Sequence, residues 1–308
     1  MPALSNFVPA GMARLWLGPH PDRARHDAEL LLLHVLGKNK GWLLAHGDEE
    51  LSGDQADSYL ALLERRKDGE PIQYILGETE FYGLPFRVTP DVLIPRPETE
   101  HLVEKTLELA ALLNGFVTGH DFSRAEESTK QTWALAPAGS PRIVDVGAGS
   151  GAIAVALAHR LPAARITALD ASPAALAIAS ENAVRNAVSD RIRFLESDLL
   201  AAVANERFEM VVSNPPYVAI GDRDSLSVEV REHEPALALF AGDDGLDLIR
   251  RLVPAAFAVL EQGGFLLMEI GYGQSDAVAE LLRNAGFARI EFVPDLQGIP
   301  RVACVRKL

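Results

Sequence analysis

The fold of this 308-residue chain is decided by one stretch of sequence, Val144-Asp145-Val146-Gly147-Ala148-Gly149-Ser150-Gly151-Ala152. The stretch joins an apolar strand to an Ala-rich helix through a turn with glycine at every second position. Glycine permits a tight turn and lets a ligand approach the backbone closely, and the first turn of a helix offers unpaired N–H groups. The predicted ligand-binding residues of this turn are Gly147, Ala148, Gly149, Ser150 and Gly151.

From residue 142 onward, short apolar segments alternate with helix-length segments. This alternation predicts an α/β fold in which helices cover both faces of a parallel sheet. No helix is predicted between the last two strands, so we expect a closing antiparallel hairpin and seven strands in all. The predicted strands are residues 143–146, 166–169, 192–195, 210–212, 264–270, 290–293 and 302–305.

The first part of the chain is predicted to be a small helical bundle. One helix follows Pro21 and is closed by Gly37, and a second begins near Ser52 and ends in a charged run, residues 64–67, that we expect to be solvated. Aromatic and β-branched residues around a predicted turn at residues 83–85 indicate a β-hairpin.

Three domain segments follow from these patterns. They are a helical domain at residues 1–77, a β-hairpin linker at residues 78–100 and an α/β domain at residues 101–308. Residues 114–141 are rich in Gly, Ser, Thr and charged residues and are too long for an ordinary connection. We therefore expect a mobile insertion there.

Composition limits the possible function classes. The net charge is −14, from 29 Lys and Arg against 43 Asp and Glu, which disfavours a protein that binds nucleic acid through its phosphates. The single cysteine, Cys304, and the absence of metal-ligand spacing among the histidines predict a reducing cytoplasm and no metal site. Without a signal-peptide pattern or a membrane-length apolar stretch, we expect no export and no membrane partner.

An acidic residue, Asp170, closes the second predicted strand of the sheet, about twenty residues after the glycine turn. A carboxylate at this position can accept hydrogen bonds from the two ribose hydroxyls of a nucleoside. The spacing also fits a dinucleotide, and Asp170 could instead help to cap the helix that begins after Ser172. The sequence thus predicts nucleoside binding and leaves the dinucleotide alternative open.

The fourth predicted strand of the sheet runs into Ser213-Asn214-Pro215-Pro216-Tyr217. Ligands of open α/β sheets bind beyond the carboxyl ends of the strands, so this loop faces the same crevice as the glycine turn. Asn214 offers a carboxamide acceptor, the prolines restrict the backbone, and Tyr217 supplies an aromatic wall. Two acceptors, the Asn214 side chain and the Pro215 carbonyl, would hold a planar NH₂ group. A plain turn is the alternative.

Together these motifs resemble S-adenosylmethionine-dependent methyltransferases that act on amino or amide nitrogens. From about residue 27 to the C-terminus the chain is similar to one family among them, the release factor glutamine methyltransferases (the PrmC/HemK family). The segments that carry this closer resemblance are Glu70-Pro71-Ile72-Gln73-Tyr74, Leu93-Ile94-Pro95-Arg96-Pro97-Glu98-Thr99-Glu100, residues 213–217, residues 234–246 and Glu269-Ile270-Gly271-Tyr272.

The resemblance implies a Rossmann-like seven-stranded methyltransferase domain joined by a β-hairpin to a small helical domain that recognises the substrate. It also implies transfer of a methyl group from S-adenosylmethionine to the glutamine amide nitrogen in the Gly-Gly-Gln loop of peptide chain release factors, with S-adenosylhomocysteine as product. A monomer is the expected state. The implied cofactor-binding residues are residues 147–151, Asp170, Asp198, Leu199 and Asn214; the implied catalytic residues are Asn214, Pro215 and Tyr217, and Pro216 joins these three in binding substrate.

Three departures or alternatives accompany this resemblance. Leu199 stands where an aromatic residue is often found, and residues 96–100 could either clamp the two domains together or wall the crevice. An adenine amino-methyltransferase acting on DNA or RNA could use the same Asn-Pro-Pro-Tyr loop on a flipped base. Acidity disfavours that function, because residues 1–80 hold 8 Lys and Arg against 13 Asp and Glu.

Overall fold

The computed structural model describes residues 3–113 and 140–308, which fall into two compact units. The predicted insertion at residues 114–141 lies outside the described residues except for its last two. The domain boundaries at residues 77 and 100 stay a prediction. The smaller unit comprises Met1–Thr79, Val88–Ile94 and Asp222–Ala236, and the larger comprises Glu80–Arg87, Pro95–Gly221 and Leu237–Leu308.

The smaller unit is helical, as its sequence predicts. Ser52 caps the fourth helix in a reciprocal capping box with Gln55, and Gly37 ends the second helix in a left-handed conformation. Buried side chains such as Leu31, Tyr59 and Leu63 form its core. Its first five helices are α1 (Phe7–Leu15), α2 (Ala24–Leu36), α3 (Lys40–Ala45), α4 (Gly53–Lys67) and α5 (Ile72–Leu76).

The predicted hairpin is present, but its turn lies earlier than predicted. Strands β1 (Glu78–Phe81) and β2 (Leu84–Arg87) are joined by Tyr82 and Gly83, which both have positive φ angles, 54° and 73°. Two positive φ angles define the turn whose twist matches that of the flanking strands. Residues 84 and 85, predicted as part of the turn, therefore belong to the second strand.

A seven-stranded sheet with the order β5-β4-β3-β6-β7-β9-β8 organises the larger unit. Neighbours from β5 to β7 pair in parallel, and β9 pairs antiparallel with both β7 and β8, so the predicted closing hairpin is confirmed. The strands are β3 (Arg142–Val146), β4 (Arg165–Asp170), β5 (Ile192–Glu196), β6 (Phe208–Ser213), β7 (Leu260–Glu269), β8 (Ala288–Pro294) and β9 (Pro300–Arg306).

Helices cover both faces of this sheet. Ile143 and Val144 point to opposite sides, because side chains alternate along a strand; Ile143 packs with the first three helices of the unit and Val144 with the last two. The first three are α6 (Glu100–Leu113), α7 (Ala152–Arg160) and α8 (Pro173–Arg185); then come α9 (Val228–His233), which belongs to the smaller unit, α10 (Asp247–Val259) and α11 (Ser275–Asn284).

The charged end of α4 is not wholly solvated, so that prediction is wrong for Arg66. The Arg66 side chain is 2% exposed and donates to Asp27 at 2.7 Å and to Glu229 of α9. Both acidic partners are distant in sequence, and local charge patterning cannot reveal such pairing. The buried guanidinium attaches the 222–236 segment to the helical unit.

The residues described include no helix that is both long and apolar enough to cross a membrane.

Candidate active site at the carboxyl ends of the parallel strands

The glycine turn follows β3 and leads directly into α7. Gly147, Gly149 and Gly151 all have positive φ angles, 76°, 55° and 78°, which glycine adopts at little cost. A Cβ at Gly151 would also lie 3.0 Å from Cβ of Ala179 in α8. The turn thus needs glycine both for its backbone path and for close helix packing.

Asp170 lies at the end of β4 and contacts the glycine turn. Its Oδ2 accepts a hydrogen bond from Gly149 N at 2.8 Å, and its Oδ1 accepts one from Ser172 N at 2.9 Å. Each carboxylate oxygen keeps a further lone pair, so the group can still accept from an additional hydroxyl. Ser172 is the residue that caps α8, where its hydroxyl accepts from Ala175 N at 3.2 Å. By accepting from Ser172 N, Asp170 helps to hold this cap, as the capping alternative proposed.

Asp145, within β3, is a buried carboxyl beneath the turn. Its Oδ2 accepts from Ala154 N at 3.1 Å, while its Oδ1 has no hydrogen-bond partner among the residues described. Burial, together with the neighbouring charge of Asp170, raises the pKa of Asp145 to about 7, although the Ala154 hydrogen bond acts in the opposite direction. This carboxyl therefore titrates near neutral pH.

Asp198 and Leu199 follow β5 and lie further along the same edge of the sheet. The Asp198 carboxylate is largely exposed and accepts from Arg251 at 2.6 Å. Leu199 is half-buried against the face covered by α10 and has a positive φ of 50°. Their contact with an adenine ring stays a prediction.

The Asn-Pro-Pro-Tyr loop begins where β6 ends, beside β3. Ser213 is fully buried, and its hydroxyl donates to the carbonyl of Val146 at 2.7 Å, immediately before the glycine turn. Pro215 is buried, whereas Asn214, Pro216 and Tyr217 are half-buried. The structure therefore brings the two predicted motifs to adjacent strand ends.

Two buried side chains, Thr99 and Glu269, contact this loop. Thr99 lies in the segment 96–100, for which the sequence left open a place in the wall of the crevice, and its contact with Asn214 accords with that alternative. Thr99 Oγ1 accepts from Asn214 Nδ2 at 3.1 Å and donates to Glu269 Oε2 at 2.6 Å. Tyr217 donates its phenolic proton to the other carboxylate oxygen, Oε1, at 3.2 Å. The sequence signal for Glu269 is its presence in one of the motifs that carry the family resemblance, and neither residue was predicted individually.

These contacts shift the acidities of the loop. Burial raises the pKa of Glu269, and the hydrogen bonds from Thr99 and Tyr217 partly offset that rise by favouring the ionised carboxylate. Burial and the Glu269 charge raise the pKa of Tyr217 above its ordinary value, so Tyr217 remains a hydrogen-bond donor at neutral pH.

Two segments later in the chain, around Gly245 and residues 271–274, contact the backbone of the Asn-Pro-Pro-Tyr loop. Gln274 accepts from Gly271 N at 2.8 Å and donates to the Tyr217 carbonyl at 3.0 Å. Gly245, with φ of 75°, passes so close that a Cβ would lie 2.2 Å from the same carbonyl oxygen. The loop is therefore supported by two segments that follow it in sequence.

Comparison with known proteins adds to this geometry. Residues 14–77 match the family model described as the PrmC N-terminal domain, and residues 132–231 match the methyltransferase small domain. The chain is 43% identical over 284 residues to the release factor glutamine methyltransferase of Koribacter versatilis, covering 92% of this chain and 91% of the relative. It is 39% identical over 281 residues to that of Geobacter sulfurreducens, covering 91% and 89%.

Among solved structures, a T. thermophilus 16S rRNA methyltransferase in complex with AdoMet and guanosine is similar, with a TM-score of 0.51. The sequence identity is 19%, over 75% of this chain and 50% of that one. At this identity the likeness is one of fold alone.

Proposed function

This chain belongs to the release factor glutamine methyltransferase family, and we propose that it takes the methyl group from S-adenosylmethionine bound at the glycine turn. The enzyme methylates the glutamine of release factors, as its relatives' name states. The assignment of individual residues to cofactor and substrate is the part that we add. The observation that carries it is the 2.7 Å hydrogen bond from Ser213 to Val146, which joins the ends of the two motif-bearing strands.

The residues of the turn fit a nucleoside cofactor. Added side chains at Gly147 and Gly149 would meet nothing within 4 Å, so the backbone there is open to a ligand. Asp170 presents a carboxylate with spare lone pairs for ribose hydroxyls. We assign cofactor binding to residues 147–151, Asp170, Asp198, Leu199 and Asn214. When bound, S-adenosylmethionine supplies an electrophilic methyl group on a sulfonium.

The substrate amide is a weak nucleophile, because its nitrogen lone pair is delocalised into the carbonyl. Asn214 Oδ1 and the Pro215 carbonyl can each accept one N–H of the amide, which orients the nitrogen and stabilises the positive charge that develops on it. Tyr217 and Pro216 form the apolar walls. With the nitrogen held by Asn214 and Pro215, bound S-adenosylmethionine would supply the methyl group and leave as S-adenosylhomocysteine, and the proton lost from the nitrogen would pass to solvent.

The helical domain, residues 1–77, is assigned to recognition of the release factor. The match of residues 14–77 to the PrmC N-terminal domain supports this role. Release factors act in translation, so the working compartment is the cytoplasm. We assign a monomer without stable nucleic acid binding, in keeping with the net charge of −14.

The test uses the full chain and S-adenosylmethionine with a labelled methyl group. The acceptors are unmethylated release factor, the same factor with the loop glutamine changed to alanine, and unmethylated DNA and RNA. We expect label only on the wild-type release factor. Label on nucleic acid, with none on release factor, would instead establish an adenine enzyme.

The residue assignment is tested by Asn214→Ala. We expect kcat to fall by about 100-fold or more, because a preorganised acceptor is lost, while the dissociation constant for S-adenosylmethionine changes by less than about fivefold. Calorimetric titration measures the dissociation constant for S-adenosylmethionine. Asn186→Ala, a change of the same type on α8, is the control and should leave kcat unaltered. Equal losses of turnover and cofactor affinity in Asn214→Ala would contradict the assigned role.

A further inference from the structure

Four side chains from three separate segments form one hydrogen-bonded chain in the larger unit. Asn214 donates to Thr99, and Thr99 and Tyr217 both donate to Glu269. Thr99 is 4% exposed and Glu269 is 2% exposed, so bulk water has little access to either. The hydrogen bonds of Thr99 and Glu269 are therefore made with protein groups rather than with water.

The direction of each hydrogen bond follows from the donors available. Both carboxyl oxygens of Glu269 accept a hydrogen bond, one from Thr99 and one from Tyr217, and a threonine hydroxyl has a single proton to donate. Thr99 Oγ1 donates that proton in its hydrogen bond to Glu269 Oε2 at 2.6 Å. Toward Asn214, the Thr99 oxygen can therefore act only as an acceptor. The group of Asn214 that faces Thr99 must then be the NH₂, and the carboxamide oxygen must lie on the other side.

The orientation of Asn214 matters for catalysis because one side of a carboxamide accepts hydrogen bonds and the other side donates them. Rotating the Asn214 side-chain amide by 180° exchanges acceptor for donor with almost no change of shape. In the rotated state an NH₂ group would face the NH₂ of the substrate, and no hydrogen bond could form. Loss of the hydroxyl at position 99, or a residue at position 269 that can itself donate to Thr99, would permit both orientations.

We infer that Thr99 and Glu269 are positioning residues that hold Asn214 with its carboxamide oxygen toward the substrate amide. This rests on the proposed role of Asn214 as an acceptor. The other oxygen of the Glu269 carboxyl group accepts from the phenol of Tyr217, so one buried side chain orients two side chains of the loop. Glu269 therefore acts on turnover through Asn214 and Tyr217.

The experiment compares Thr99→Val with Thr99→Ser. Valine has nearly the shape of threonine but has no hydroxyl, and serine keeps the hydroxyl. We expect Thr99→Val to lower kcat by about 10- to 100-fold with KM and cofactor affinity within about threefold of wild type, and Thr99→Ser to keep most of kcat. Glu269→Gln, which can donate to Thr99 and so permit the rotated amide, should lower kcat by about tenfold or more.

Thr106→Val is the matched control. Thr106 is also fully buried, on α6, but its hydroxyl donates only to the Leu102 carbonyl one turn away, at 2.7 Å. We expect its kcat to equal that of wild type, which separates loss of the hydrogen-bonded chain from the general cost of replacing a buried threonine. Thermal unfolding and cofactor titration of each variant verify that the site is folded.

The outcomes distinguish this inference from the proposed function. Wild-type kcat in Thr99→Val or Glu269→Gln, or equal losses in the valine and serine variants, would overturn the positioning role while leaving the methyltransferase assignment intact. If Asn214→Ala retained its turnover, the premise itself would fail. If Thr99→Val does not fold, Glu269→Gln and the serine variant decide the question.

Discussion

Replacing Asn182 tests how the glycine turn is held in place. Asn182 lies on α8 and is fully buried. Its carboxamide accepts from Arg87 N at 2.6 Å and donates to the Arg87 carbonyl and to the Ser150 carbonyl, both at 2.9 Å. One side chain therefore joins strand β2 of the hairpin to the turn assigned to cofactor binding.

The magnitude follows from the three groups left behind. Asn182→Ala leaves one N–H and two carbonyls without their partner, and a buried group that loses its partner costs about 1–3 kcal/mol. Arg87 is on an exposed edge, so water can reach its two groups and their cost lies at the lower end. We expect the free energy of unfolding to fall by about 3–5 kcal/mol in total.

Asn186→Ala provides the comparison on the same helix. Its side chain also donates to two carbonyls, those of Pro85 at 3.0 Å and Asn182 at 2.9 Å, but it is only half-buried. Water replaces these bonds, so we expect a cost below about 1 kcal/mol.

Urea unfolding at neutral pH measures the free energy of unfolding of Asn182→Ala and Asn186→Ala. Titration with S-adenosylmethionine then tests the link to the site, where Asn182→Ala should bind about tenfold more weakly than wild type because Ser150 is no longer held. Equal stabilities of the two variants, or a loss in Asn182→Ala below about 1 kcal/mol, would show that the Asn182 side chain does not hold the turn.

Three further predictions concern groups of the site itself. Because the pKa of Asp145 is raised from 3.8 to about 7, the wild type loses folding free energy as the pH rises from about 4 to about 7, and the loss stays constant above that range. Asp145→Asn should therefore gain stability over wild type by up to about 4 kcal/mol across this range. A pH-independent difference in urea unfolding would contradict this. Gly245→Ala should destabilise the chain by about 2–4 kcal/mol, since its Cβ would lie 2.2 Å from the Tyr217 carbonyl oxygen and its φ is 75°. An unchanged melting temperature would show that the loop backbone can shift to accommodate the methyl group at little cost. Tyr217→Phe removes a hydrogen bond that lowers the pKa of Glu269, so that pKa should rise further and the acid side of the pH profile of kcat should move to higher pH than in wild type. Superimposable pH profiles would count against that role.

Local sequence signals predict the elements of this protein well. The glycine turn, the capped helix after Ser52 and the seven strands depend on periodicity and on turn residues within a short window, and each is present. The hairpin turn lies one residue earlier than predicted, because Tyr82 adopts a positive φ that is untypical of tyrosine, whereas turn chemistry favours the Gly83-Leu84-Pro85 stretch.

Burial and long-range pairing escaped sequence reasoning for a different reason. Arg66 belongs to a charged run, and the periodicity of α4 does not show that two acidic partners from distant segments surround it. The same limit applies to Thr99 and Glu269, which are separated by 170 residues and meet through a single hydrogen bond.

The fold class, the glycine turn and the Asn-Pro-Pro-Tyr loop can be predicted from the sequence, because they depend on backbone preferences of a few consecutive residues. The side chains that surround that loop become known from the packing of the folded chain. The order β3-β6-β7 brings the ends of three strands together, and Thr99 reaches the same place from the segment before α6. The direction in which Asn214 presents its carboxamide depends on that assembly, since a hydrogen bond is oriented by its partners rather than by neighbours in the chain.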